Sequence, residues 1–414
     1  MAMFDQGIVS GASFAATVLV GRACGEEALG LYSLGFTLLI LIRGVQESLV
    51  LTPYTIRMAR LPARRRRSYA GSALVHSGLT ALASMVALGA LGAGGLTLSA
   101  AIVLPQLTVV LGILAITLPL VLLREVARRF SFAELRLGRA VQIDAVAAAC
   151  QLSLVAWLAA VGRLSAATAL AALGMACGVS VAMWLARSVR GFAVRRQRIV
   201  SDWRRNWSLG RWIFAEQMCG TANSYSLHWL LALLLGAAAT GEFAAAMAIV
   251  SLSNPLILGL GNLLGPSTAR ALAAGGMPQM RRLIWSFTWR MAGCMLLFCP
   301  LMAICGNAAL TALYGPAYAG HGSALTLLAV ALAVNALGMG ADSGLRAAGR
   351  PRETFTASLV ALLVTLVVGM CLAPRCGIVG AACAIVAGNL MGSGARWLAF
   401  ARLSSSAATA GATA

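Results

Sequence analysis

An ionised side chain inside an apolar helix costs about 2.5–3.5 kcal/mol at the centre of a membrane span. Charges that interrupt apolar stretches are therefore the first candidates for chemistry. Arg43 and Glu47 stand four residues apart in such a stretch, on one face of a helix. A guanidinium keeps its charge and can grip phosphate oxygens through two parallel hydrogen bonds. A carboxylate beside it can orient the bound group or respond to protonation, and the same spacing also suits a mutually neutralising structural pair. Arg290 lies about two turns inside another apolar stretch with no acid at helical spacing. It is a second phosphate candidate, or a side chain that snorkels to the headgroups.

Glu216, Asp5 and His228 are the candidates for ion coupling. Asp5, Asp144 and Glu216 stand at helix starts, where a carboxylate also meets the positive end of the helix dipole. His228 could sense protons near neutral pH, or pack as a hydrogen-bonded side chain among its Trp and Leu neighbours. Pro105, Pro119, Pro255 and Pro300 interrupt helical hydrogen bonding and are candidate hinges or kinks, whether for motion or for packing. The sequence carries no nucleotide-binding loop, metal-ligand spacing or Ser/His/Asp arrangement, so we expect binding and movement rather than catalysis, with no cofactor and no metal.

These residues need long apolar elements to position them, and the composition supplies them. The chain has 414 residues, is 60% hydrophobic and has a mean hydropathy of +0.86, too apolar for a soluble protein of that length. Its net charge of +20 comes from 32 arginines and no lysine. The arginines cluster in short connections between apolar stretches, which argues for membrane orientation and against nucleic-acid binding. The ten cysteines show no metal-ligand pattern; Cys24 and Cys376 fall on the outer side, and nothing in the sequence pairs them.

Windows of about 20 apolar residues give twelve spans: 6–20, 29–51, 70–91, 98–122, 140–161, 166–186, 212–235, 243–264, 283–304, 323–345, 354–373 and 378–399. The basic stretch 187–211, with eight arginines against the single acid Asp202, divides a six-helix lobe (1–186) from a second (212–403), followed by a tail (404–414) expected to be disordered. A second basic loop is expected at Arg124, Arg128, Arg129, Arg136 and Arg139. Connections after even-numbered spans, together with the tail, hold 26 arginines, and the opposite side holds three. Arginine excess marks the cytoplasmic side, so both termini are expected to be cytoplasmic in a bacterial inner-membrane protein.

The two halves share a register. Asp5-Gln6 matches Glu216-Gln217 and Gly30 matches Gly241, each 211 residues on; Pro53 with Arg57 matches Pro266 with Arg270, and Trp184 matches Trp397, each 213 residues on. Six spans per half make this a parallel repeat, a transporter-like arrangement with a cavity expected between two bundles. The fold class is thus all-α: about twelve transmembrane helices in two pseudo-symmetric six-helix bundles.

The opening Asp5-Gln-Gly-Ile-Val-Ser-Gly-Ala-Ser-Phe, then Gly30-Leu-Tyr and Leu51-Thr-Pro-Tyr, resembles the first helices of bacterial polysaccharide flippases, the O-antigen and exopolysaccharide transporters of the multidrug/oligosaccharidyl-lipid/polysaccharide exporter (MOP) superfamily. Gly241-Glu-Phe, Asn254-Pro255, Leu313-Tyr-Gly and Gly377-Ile-Val-Gly-Ala-Ala are similar to elements of the same family. The resemblance implies alternating-access flipping of an undecaprenyl-pyrophosphate-linked oligosaccharide. Arg43 and Arg290 would then hold the diphosphate, and Glu47 would orient it. The implied partners are the lipid-linked glycan, membrane lipids and a polysaccharide polymerase or glycosyltransferases, with no nucleic acid. Two alternatives stand beside this: a cation-coupled multidrug antiporter of the same superfamily, and a non-transporting scaffold of a polysaccharide-assembly complex.

Overall fold

The computed structural model describes residues 2–58, 61–95, 105–134, 136–188 and 192–412. Among them there are twelve long helical segments and no strand, as expected where backbone groups must be satisfied within each segment. Ala2–Gln46 is one helical run broken at Gly25 (φ 81°), and its arms are α1 (2–24) and α2 (26–46). A side chain there would be strained, so glycine is what allows the turn. α2 continues through a π-helical turn, Glu47–Leu51, into the short helix Thr52–Met58. Then come α3 (Ala63–Gly95), α4 (Pro105–Ala133), α5 (Leu137–Ala160), α6 (Ala166–Ser188) and α7 (Arg196–Leu235). α8 comprises Ala237–Val250, a 3-10 turn at Ser251–Ser253 and residues 254–274. The run Asn254–Tyr314 breaks at Gly275 and Gly276, after which α9 covers 277–314. α10 is Gly322–Ala347, and Pro351–Ala412 divides at Gly377 (φ 59°) into α11 (351–376) and α12 (378–412).

Several connections expected to be loops are helix. Arg124, Arg128 and Arg129 lie within α4, which runs eleven residues beyond its expected end at 122. The basic stretch is helical from Arg196 onward, as an extension of α7. α12 continues to Ala412, through the tail expected to lack structure. Charge ends the apolar window, but it does not end a helix whose charged face finds partners.

The prolines fall in two groups. Pro119 and Pro300 are inside helices. Pro255 stands in the first turn of the helix after the 3-10 step, so the break precedes it. Pro105 is the first described residue of α4, and the residues before it, 96–104, lie outside the described ones.

The chain forms two compact units, Met1–Thr221 with Gly236–Gly241, and Ala222–Leu235 with Glu242–Ala414. In the first, α4 packs on α3, α5 and α6, and the Ala2–Gln46 run packs on α5. Its core gathers Leu51, Tyr54, Tyr69, Phe130, Ile143 and Trp184, with the Tyr54 and Phe130 rings stacked at 4.3 Å. In the second, α10 packs on the Asn254–Tyr314 run and on the Pro351–Ala412 run, around Met280, Ile284, Leu345 and Phe400. The 213-residue register carries Met58 onto Ala271 and Trp184 onto Trp397, and each pair has one member at each core.

The 211-residue register meets itself inside the first unit. A Cβ on Gly30 would collide with the carbonyl of Ala237, and a Cβ on Gly241 with the carbonyl of Glu26. Glu26 and Ala237 are themselves 211 residues apart. α2 and the first turn of α8 thus cross backbone to backbone, through equivalent residues on both sides.

Candidate functional site

Among the described residues, the largest gathering of ion-paired charge lies in the first unit, where α2, α4 and α5 meet. Asp144 of α5 is wholly buried, and both of its oxygens are taken: Oδ1 by Arg124 Nη2 at 2.5 Å and Oδ2 by Arg128 Nε at 2.7 Å. Glu125, 5% exposed, has Arg43 Nη1 at 3.5 Å and Arg128 Nη1 at 3.8 Å. Glu47 Oε1 receives Arg129 Nη2 at 2.5 Å and the Thr52 hydroxyl at 3.1 Å. The buried thiol of Cys177 on α6 sits beside Arg124. Four guanidinia therefore face three carboxylates, leaving one positive charge in excess.

Helical spacing builds this cluster. Arg124 and Arg128, and likewise Glu125 and Arg129, are four apart, so each pair shares a face of α4. Glu47 opens the π turn, in which the Thr52 N–H reaches back five residues to the Glu47 carbonyl. Such turns recur at functional sites because they re-aim a side chain without ending the helix. Gly210 of α7 comes close to the turn, with space for no Cβ beside the Ser48 carbonyl.

Arg43 and Glu47 are thus in one cluster but are not each other's partners, because α4 supplies an opposite charge to each. Arg43 keeps 41% of its side chain exposed, and its only ion pair among the described residues is the 3.5 Å contact with Glu125. It can accept an anionic ligand without a short bond having to break. Arg290 belongs to the second unit, is exposed on α9 and makes no ion pair among the described residues.

The other candidates are dispersed. The side chain of Asp5 lies outside the described residues. Glu216 is half-buried on α7, near Cys219. His228 is buried in the second unit, edge-on to Phe243 at 5.1 Å and 5.7 Å from Tyr225.

Sequence reasoning missed Arg124, Glu125, Arg128 and Arg129 as a site by assigning them to a loop; their i, i+4 phase with the preceding apolar span was the available signal. It also missed a neutral network in the second unit. There Thr365 Oγ1 donates to Asn223 Oδ1 at 2.9 Å, Asn223 Nδ2 to Asn389 Oδ1 at 3.3 Å, and Asn389 Nδ2 to the Ala331 carbonyl at 2.9 Å. The intramembrane Arg396 is held at 3.8 Å from Asp342 and donates to the Ser358 hydroxyl at 3.0 Å.

No family model matches the sequence, and no curated protein matches it. Solved structures do. The chain is similar to the inward-facing conformation of a multidrug resistance MATE family transporter of the MOP superfamily, with 17% identity over 97% of this chain and 95% of that one and a TM-score of 0.80. It is similar to a mutant of the Vibrio cholerae MATE transporter VcmN, at 18% identity, 98% and 95% coverage and a TM-score of 0.69. A MOP superfamily transporter from Pyrococcus furiosus, described as having a binding pocket of reversed polarity that suggests a different function, matches at 15% identity, 97% and 93% coverage and a TM-score of 0.69. Sequence identity this low carries the fold alone: the chain has the polytopic, all-helical fold of MATE-type transporters of the MOP superfamily.

Proposed function

We propose that this protein is an alternating-access membrane transporter that exports an amphipathic solute. The observation that carries the reading is the fold match over 97% of this chain and 95% of the other at a TM-score of 0.80. Of the two transport expectations, the comparisons support the cation-coupled multidrug antiporter better than the polysaccharide flippase, since the matching structures include a multidrug resistance MATE family transporter and further MATE transporters. In the antiporter, Glu216 is the carboxylate to which we assign coupling. Acidic groups suit cationic cargo, and Glu216 lies outside the buried ion pairs of α4 and α5.

One specific observation favours the second reading. The cluster carries excess positive charge, and its most exposed guanidinium is that of Arg43, which suits a phosphate-bearing substrate such as a lipid-pyrophosphate-linked oligosaccharide. A polymerase or glycosyltransferases would then be its partners. In either case the arginine distribution supports an inner-membrane placement with both termini cytoplasmic, which terminal reporter fusions would test.

Proteoliposomes carrying an imposed proton gradient separate the readings. The antiporter expels a cationic dye, loses that activity in Glu216→Gln and retains it in Arg43→Ala. The flippase moves a lipid-pyrophosphate oligosaccharide, loses that activity in Arg43→Ala and recovers little of it in Arg43→Lys. Movement of neither substrate by well-folded protein would refute transport of these classes and favour the scaffold.

A further inference from the structure

A second basic site lies apart from the Arg43 cluster, at the arginine-rich end of the first unit. The end of α2, the first turns of α3 and the N-terminal extension of α7 enclose a cleft of about 300 Å³, in the lower range for ligand pockets. Arg57, Arg65, Arg198 and Arg205 line it, drawn from three separate segments. Among the described lining residues Asp202 is the only acid, and its Oδ2 already accepts a hydrogen bond from Ser72 at 2.8 Å. None of the four arginines forms an ion pair with an acid among the described residues.

The walls are held in place. Tyr69 donates to Asn206 Oδ1 at 2.7 Å, and His76 Nε2 meets the Ile199 carbonyl at 3.0 Å, docking the α7 extension on α3. The Arg57 guanidinium donates to the Arg205 carbonyl across the cleft. Asn206, Tyr69, Ser72 and His76 are all buried, so this is a fixed joint rather than a loose basic loop. Four guanidinia are thereby kept together with too little counter-charge, which a phosphate with two or more oxygens to share would supply.

Along the same extension, Trp203 and Trp207 stand one turn apart with rings 6.1 Å from each other, beside Arg204, and Trp207 is 45% exposed. Tryptophan next to arginine on an exposed face of a membrane protein marks the headgroup level. Basic pockets at that level bind anionic headgroups. We propose that this cleft is a binding site for a phosphate-bearing anion, with an anionic phospholipid headgroup as the source favoured by the flanking tryptophans. The proposal stands whichever transport reading holds.

The test uses the full chain in detergent and reads its unfolding temperature, together with lipid retained in native mass spectrometry. The additions are phosphatidylglycerol, phosphatidylcholine or sodium pyrophosphate. Phosphatidylglycerol is expected to raise the unfolding temperature and to be retained, and phosphatidylcholine is not. The R65Q/R198Q variant, which leaves the Arg57–Arg205 bond intact, is expected to bind phosphatidylglycerol at least about tenfold more weakly, by loss of two charge-assisted contacts. R281Q/R282Q, altered at two exposed arginines in another connection, is expected to bind like the native chain. A pyrophosphate shift that R65Q/R198Q abolishes, without any phosphatidylglycerol effect, keeps the site but assigns it a soluble phosphate. Equal losses in the two variants, or no loss in R65Q/R198Q, would overturn the proposal in favour of general attraction between a basic protein and anionic lipid. If R65Q/R198Q shows no cooperative unfolding, Arg65→Gln alone carries the same expectation at smaller fold-change.

Discussion

Replacing Asp144 by Asn keeps the side chain's size and removes its charge, and the surrounding geometry fixes the cost. Arg124 and Arg128, themselves only 10% and 15% exposed, lose a shared, fully buried partner at 2.5 and 2.7 Å. The cluster's excess rises from one positive charge to two. Removing one partner of a buried pair costs about 3–5 kcal/mol, because the remaining charge stays out of water without compensation. For a unit of this size each kcal/mol moves the midpoint by about 2–4 °C, so a fall of about 6–20 °C is expected. Thermal unfolding in detergent, tracked by tryptophan fluorescence, reads it. Arg43→Ala is the internal control: its 3.5 Å contact is made by a side chain 41% exposed, and its loss should cost about 0–1 kcal/mol. A double-mutant cycle with Arg124→Met and Asp144→Asn should show a coupling of about 0.5–3 kcal/mol. An Asp144→Asn protein melting within a degree of the native chain, or strict additivity in the cycle, would refute the claim that these charges form a desolvated, mutually dependent network.

Packing sets two further outcomes. Gly30→Ala should cost about 1–3 kcal/mol, because the new methyl falls on the Ala237 carbonyl and the crossing must open. Gly112→Ala, on α4 with nothing within 4 Å, should instead stabilise by about 0.5–1 kcal/mol; equal effects at both positions in the same melting assay would contradict the crossing. Asn389→Leu should cost about 0.6–1.7 kcal/mol, the range for interhelical hydrogen bonds in membranes, and Thr365→Val should add little to it because both act on Asn223.

The linear order of apolar and charged residues was enough to expect a polytopic, all-helical protein with about twelve long apolar helices, and twelve long helical segments stand among the described residues. The reason is physical: a spanning segment must be long, apolar and internally hydrogen-bonded, and each of these requirements is local. The repeat was legible for the same reason, since Gly30 and Gly241 keep their place in equivalent helices; that the two glycines touch was not.

What only the tertiary structure decided is which charges meet. Arg43 and Glu47 look like a pair along one helix, yet α4 brings Glu125 to the first and Arg129 to the second. Asp144 looks like a helix-start acid, but it is the buried partner of two arginines twenty and sixteen residues earlier in the chain. The end of a span was misplaced at Arg124 because hydropathy charges the full cost of an ion in lipid. A guanidinium that meets a carboxylate on a neighbouring helix escapes much of that cost, and only the packing of α4 on α5 says that it does.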